Sequence, residues 1–167
     1  MKKHLLVSLL GLLLLAGCGS NPPKPTVSPF IEKELKIFTY GDRRDDAQKK
    51  IRLIHGRELA EIIFTKPYFG STEYIGDARD ISSHKTTLRV SFLYTHEGAD
   101  DGWPLDVSVH YILENDGKAL FNKTFKVKAT RFGAKGICPG CSPEETALTM
   151  LKNKMMPEFD LKIKESF

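Results

Sequence analysis

Cysteine is scarce in this chain of 167 residues, which has three, at positions 18, 138 and 141. That excludes a disulfide-dense mini-protein, and a chain of this length can bury a core of its own without one. Tryptophan occurs once, at Trp103, and a long apolar run occurs once, over Leu5–Leu15. With no second run of that kind, nothing further along the sequence is built to cross a bilayer as a helix. An excess of one charge is lacking too. The 25 Lys and Arg face 21 Asp and Glu, and Lys2 and Lys3 at the very start supply part of the difference. So balanced a chain does not suggest a nucleic-acid partner. Its pI near 8.9 is compatible with weak attraction to an anionic lipid surface. His55, His84, His96 and His110 include no pair at metal-ligand spacing, and neither a nucleophile elbow nor a Gly-rich oxyanion loop is present. No cofactor or metal is expected.

What is present begins at the N-terminus. Lys2 and Lys3 precede the apolar Leu5–Leu15, which has the length of a secretory h-region, and Leu15-Ala16-Gly17-Cys18 closes it. In that order these residues resemble the lipobox of bacterial lipoproteins. The resemblance implies that residues 1–17 are a signal peptide cleaved before Cys18. It also implies that the Cys18 thiol carries a diacylglyceryl group, the fatty-acylated (palmitate-type) anchor of a lipoprotein. One acyl chain holds a protein on a membrane only marginally, whereas two or three hold it stably. In lipoproteins of the enterobacterial type an aspartate after the lipidated cysteine favours the inner membrane. Gly19 therefore points to the periplasmic face of the outer membrane. Residues 18–29 are the lipidated cysteine and a tether with Pro22, Pro23, Pro25 and Pro29. In polyproline II geometry the tether reaches roughly 30 Å. Residues 30–167 then form one domain.

Within that domain, Leu35–Tyr40 reads as a strand, and Asp42 is placed to cap a helix over Arg43–Phe64. Ala47, Ile51, Ile54 and Ile62 share the apolar face of this helix. Arg43, Arg44, Lys49 and Arg52 lie elsewhere, Gly56 interrupts it and Pro67 stops it. Tyr68–Lys85 reads as irregular, with a short strand near Glu73–Ile75. Three alternating segments follow, Thr86–Thr95, Leu105–Leu113 and Lys118–Thr130, a meander of half-buried strands. In the first, Leu88, Val90, Phe92 and Tyr94 share a face. For the last two, a three-residue loop with Gly117 in the left-handed region sets Tyr111 beside Phe121 and Val107 beside Phe125. It leaves Lys123 opposite Val109 as a misfit. Arg131–Gly136 reads as a loop. Ser142-Pro143-Glu144-Glu145 is a capping box, opening a helix with the stripe Ala147, Leu148, Leu151 and Met155 that ends at Pro157. The alternating Phe159–Lys164 reads as a final strand. The expected fold is α+β: an antiparallel sheet of about four to five strands with two helices, in the order β-α-β-β-β-α-(β). That element order resembles the small α+β domains of periplasmic lipoproteins of the lipopolysaccharide-assembly and TolB N-terminal kind.

Few residues suggest chemistry. Cys138-Pro139-Gly140-Cys141 is the one reactive candidate, and in an oxidising compartment the pair is expected to be bridged. The capping box starts its helix at Ser142, so Cys138 lies upstream of the first turn, which favours a structural disulfide over an activated thiolate. Asp106, Ser108 and His110 share one strand face, and without an oxyanion loop they read as a sheet face that is either solvated or covered by a helix. The loop His96–Pro104 holds Asp100, Asp101 and Trp103. Trp103 either folds back on the core or, with Asp100 and Asp101, anchors a partner. The expected protein is a non-enzymatic, lipid-anchored accessory or assembly factor of the cell envelope with an envelope protein as partner. The alternatives are a periplasmic thiol–disulfide oxidoreductase using Cys138 and Cys141, and a peptidoglycan- or lipid-binding module.

Overall fold

The computed structural model describes residues 31–41, 46–76, 81, 83–98 and 102–166. The signal segment, Cys18, the tether, Asp42, Asp100 and Asp101 lie outside the described residues. The elements are β1 (Ile31–Tyr40), α1 (Asp46–Phe64), β2 (Phe69–Gly76), β3 (Thr86–Glu97), β4 (Leu105–Asn115), β5 (Lys118–Ala129), α2 (Arg131–Ile137) and α3 (Pro143–Ser166). The five strands form one mixed sheet in the order β2-β1-β3-β4-β5. β1 runs parallel to both of its neighbours, and only β3, β4 and β5 form the antiparallel meander. The α+β class is as expected; an all-antiparallel sheet with two helices is not. The difference arises at β2, where α1 serves as the crossover that returns the chain parallel to β1. In sequence β2 is Phe-Gly-Ser-Thr-Glu-Tyr-Ile-Gly, whose two glycines blur the strand alternation.

α1 and α3 cover one face of the sheet, joined to each other by Lys152–Glu58 at 2.8 Å. The core lies between, with Leu35 and Ile37 of β1, Leu88 and Val90 of β3, and Leu148 and Leu151 of α3 all buried. The stripe that α1 buries is Gln48, Ile51, Arg52, His55, Leu59 and Ile63, at three- and four-residue spacing. Arg52 is therefore an inward residue, contrary to the reading of the basic residues as an outer face. Gly56 does not interrupt the helix. A Cβ there would overlap the Tyr74 ring of β2, so this glycine lets α1 sit close to the sheet.

α3 opens on the capping box read from the sequence. The Glu145 amide donates to the Ser142 hydroxyl at 3.2 Å, and the Ser142 amide donates to the Glu145 carboxylate at 2.9 Å. The helix passes through Pro157 and continues to Ser166, so Phe159–Lys164 is not a strand. Met155, Phe159 and Ile163 are all fully buried at i, i+4 spacing, whereas Leu161 is exposed. Helical burial of alternate pairs, not strand pairing, therefore uses this segment. Arg131–Gly136, read as a loop, is the short helix α2, whose N-cap Thr130 accepts from the Gly133 amide at 3.1 Å.

The β4–β5 hairpin corrects the expected register. Asp116 and Gly117 both have positive φ, 50° and 76°, which makes the two-residue turn that matches strand twist. Asn115 pairs with Lys118, and one extra residue, Leu120, then shifts the ladder. Val107 thus faces Val127, Val109 faces Phe125 and Tyr111 faces Lys123. The bulge restores the apolar pairing that a two-residue turn alone would have broken. Lys123, the misfit, reaches across to Glu158 of α3.

Candidate functional site: the open face of the sheet

Among the described residues, no helix packs on the second face of the sheet. Its β1–β2 edge carries Lys36 between Glu34 and Glu73, with Glu34 at 2.9 Å. The hydrogen bond that the Lys36 ammonium donates to the Glu73 carboxylate raises the Lys36 pKa, and the same bond lowers that of Glu73. Further along, Phe38 is fully buried against the His84 ring, 5.6 Å between centroids. Towards the β4–β5 turn, Arg89 of β3 donates to Glu114 of β4 at 2.6 Å. His110 and Asn122 share a hydrogen bond of 2.7 Å. These are exposed or half-buried polar pairs that stitch neighbouring strands. Ser108 and His110 both stand on this polar face, His110 half-buried and Ser108 buried rather than solvated.

One region of this face differs. Between Phe92 and Tyr94 the β3–β4 ladder shifts by one residue, so that Phe92 faces Val109 but Tyr94 faces Ser108. The bulge at Leu93 breaks the shared face expected for Leu88, Val90, Phe92 and Tyr94. Phe92 stays in the core, while Leu93 and Tyr94 are 60% and 51% exposed. Tyr94 stacks on His96, 6.1 Å between centroids and 18° apart in plane. Beside them opens a cleft of about 680 Å³, lined by Leu93, Tyr94, Asp106, Val107, Ser108, Thr124, Lys126 and Val127. Ser108 is only 7% exposed, and Asp106 lies 3.5 Å from the Lys128 ammonium. Bulges re-aim side chains and concentrate beside functional sites. Sequence reasoning missed this cleft. The signal was the pair Leu93-Tyr94 within an alternating strand, where one apolar residue too many must leave the core.

The residues singled out from the sequence are not gathered at one place. Trp103 is half-buried and packs against the core, joined by a cis peptide to Pro104. Cys138 and Cys141 form a disulfide, with Cα atoms 5.5 Å apart, in the turn between α2 and α3. Near them Phe132 of α2 stands 88% exposed, with the Lys135 ammonium 5.9 Å from its ring centroid. On the helix-covered side, His55 shares a 2.7 Å hydrogen bond with the Tyr111 hydroxyl. Burial first, and the Lys152 charge second, hold the His55 pKa down at about 3, and burial pushes the Tyr111 phenol up. Both are neutral at physiological pH. No group of three His, Cys, Asp or Glu able to hold a metal occurs among the described residues, and no described helix is long and apolar enough to cross a membrane.

No family model and no curated protein matches this chain. Solved structures do. A Xanthomonas campestris protein of the DUF330 family superposes with a TM-score of 0.51 at 13% identity, over 87% of this chain and 91% of that one. A putative neuraminyllactose-binding hemagglutinin homologue from Helicobacter pylori is similar with a TM-score of 0.45 at 14% identity, over 88% and 96%. The PelC dodecamer from Paraburkholderia phytofirmans gives 0.47 at 9% identity, over 78% and 91%. At such identities a likeness concerns fold alone, and the Xanthomonas protein shares the fold of this chain.

Proposed function

We propose that this protein is a lipid-anchored, non-enzymatic accessory factor of the cell envelope that works by presenting the open face of its sheet to a partner. The observation that carries the reading is the bulge at Leu93, which places Leu93 and Tyr94 in solvent on the face that no described helix covers. Exposed apolar residues grouped beside a cleft mark interaction sites more than isolated ones do. The lipobox-like Leu15-Ala16-Gly17-Cys18 supplies the anchor in this reading, and the Pro-rich tether gives the domain its distance from the lipid surface. A photo-crosslinking amino acid at position 94 in intact cells tests the working face. The expected result is one discrete adduct from position 94 and none from position 161, which is exposed on α3. Adducts from both or from neither would reject the reading. The anchor is tested by mass spectrometry of the mature N-terminus, expected at an acylated Cys18, and by Cys18→Ala, expected to leave the protein off the membrane.

A further inference from the structure

The cleft beside Leu93 has a composition that selects a class of ligand. This inference rests on the proposal that the open sheet face is the working surface. The apolar wall is Leu93 and Tyr94, and the lining is mainly carbon; Val107 and Val127 border the cleft, but their side chains are buried in the core on the opposite face. Its charged members are Asp106 and Lys126. Asp106 is engaged by Lys128. Lys126 has no carboxylate partner among the described residues; its backbone carbonyl accepts from Lys154 at 2.9 Å, while its ammonium is left for the cleft. Ser108 and Thr124 add hydroxyls, and Ser108 is almost fully buried at the cleft wall. The volume, about 680 Å³, falls in the range of small-molecule sites, which run from roughly 300 to 1,000 Å³.

An apolar trough with one available cation and two hydroxyls suits a molecule with a long apolar body and a single negative head. It is poorly matched to a glycan, which needs paired acceptors and donors along its length. We infer that the cleft binds a long-chain fatty carboxylate, with its chain along Leu93 and Tyr94 and its head on Lys126 and the hydroxyls. The attraction of head to ammonium supplies orientation, and burial of the chain supplies affinity.

The test uses the full acylated protein in phosphatidylcholine vesicles, with a photoreactive palmitate as the probe and peptide mapping as the readout. Adducts are expected on the peptides holding Leu93–Tyr94 and Thr124–Val127. Unlabelled palmitate should compete, and palmityl alcohol should compete at least fivefold less well. Lys126→Glu should cut the adduct at least fivefold, while Lys126→Arg should retain it. Adducts spread over the whole chain, equal competition by the alcohol, or labelling of Lys126→Glu at the wild-type level would each overturn the inference. Failure here is separable from failure of the broader reading. If the position 94 crosslink forms while palmitate never labels the cleft, the face stands as a docking surface and the ligand class falls.

Discussion

His55 shows how much a single buried polar residue can decide. It lies fully buried between α1 and the sheet, with Nε2 on the Tyr111 hydroxyl and Nδ1 without a hydrogen-bond partner. The folded protein holds it neutral down to about pH 3, whereas the unfolded chain takes up the proton near its ordinary 6.5. The contribution of His55 is therefore whole above about pH 6.5 and is lost as the pH falls from there towards 3. The slope is at most about 1.4 kcal/mol per pH unit. Urea unfolding at a series of pH values should show this decline, and His55→Gln, which can still bond Tyr111 but cannot titrate, should flatten it. Gly56, one residue on, sets two effects against each other. Helix propensity alone would let Gly56→Ala gain about 1 kcal/mol. But the new methyl meets the ring of Tyr74, which is held by a 2.8 Å hydrogen bond to Thr39. Overpacking of this kind costs about 1–3 kcal/mol, so the variant should be less stable, by a lower denaturation midpoint at unchanged slope.

At the scale of elements, the β4–β5 hairpin is the sharpest case. Its turn needs positive φ at both central residues, which glycine accepts and a β-branched residue resists. Gly117→Val should destabilise the protein by about 1–3 kcal/mol, while Asp116→Gly should be tolerated, both read by thermal or chemical denaturation. The same hairpin shows what the sequence could and could not disclose. Alternation in Leu105–Leu113 announced a half-buried strand, and all five of its inward residues are buried. The register was not legible, because inserting Leu120 is a choice made by core packing on both sides of the ladder and leaves no local mark. At Leu93 the mark was present, a second apolar residue beside Tyr94, but the alternation of Leu88, Val90, Phe92 and Tyr94 masked it and hid the cleft. The capping box of α3 was readable because two side chains within four residues satisfy it. The end of α3 was not, since Phe159, Leu161 and Ile163 fit strand alternation and only contact with β5 and Tyr68, among them the Phe121–Phe159 ring pair, selects the helix. Parallel pairing of β1 with β2 depends on a crossover some thirty residues long, far outside the window of any periodicity.

Across the whole molecule, the disulfide matters less than its rarity suggests. Cys138 and Cys141 close a loop of sequence separation 3 in the turn between α2 and α3, and a loop so short removes little entropy from the unfolded chain. Its removal should cost about 2 kcal/mol or less. The double Cys→Ser protein is expected to fold, with far-UV circular dichroism unchanged and a modestly lower midpoint. A reduction potential close to that of periplasmic oxidants would instead assign the pair a redox role. The position of β1 has a larger consequence, and a mechanical one. β1 lies inside the sheet, hydrogen-bonded on one side to β2 and on the other to β3. Under the proposed anchoring, a pull from the lipid would enter the domain at the N-terminal end of this strand. Force along the strand shears two ladders at once, so their bonds share the load instead of opening one after another as in a peeled edge hairpin. The lipid anchor proposed for Cys18 would thus hold the domain through the strand best placed to resist being drawn out by it.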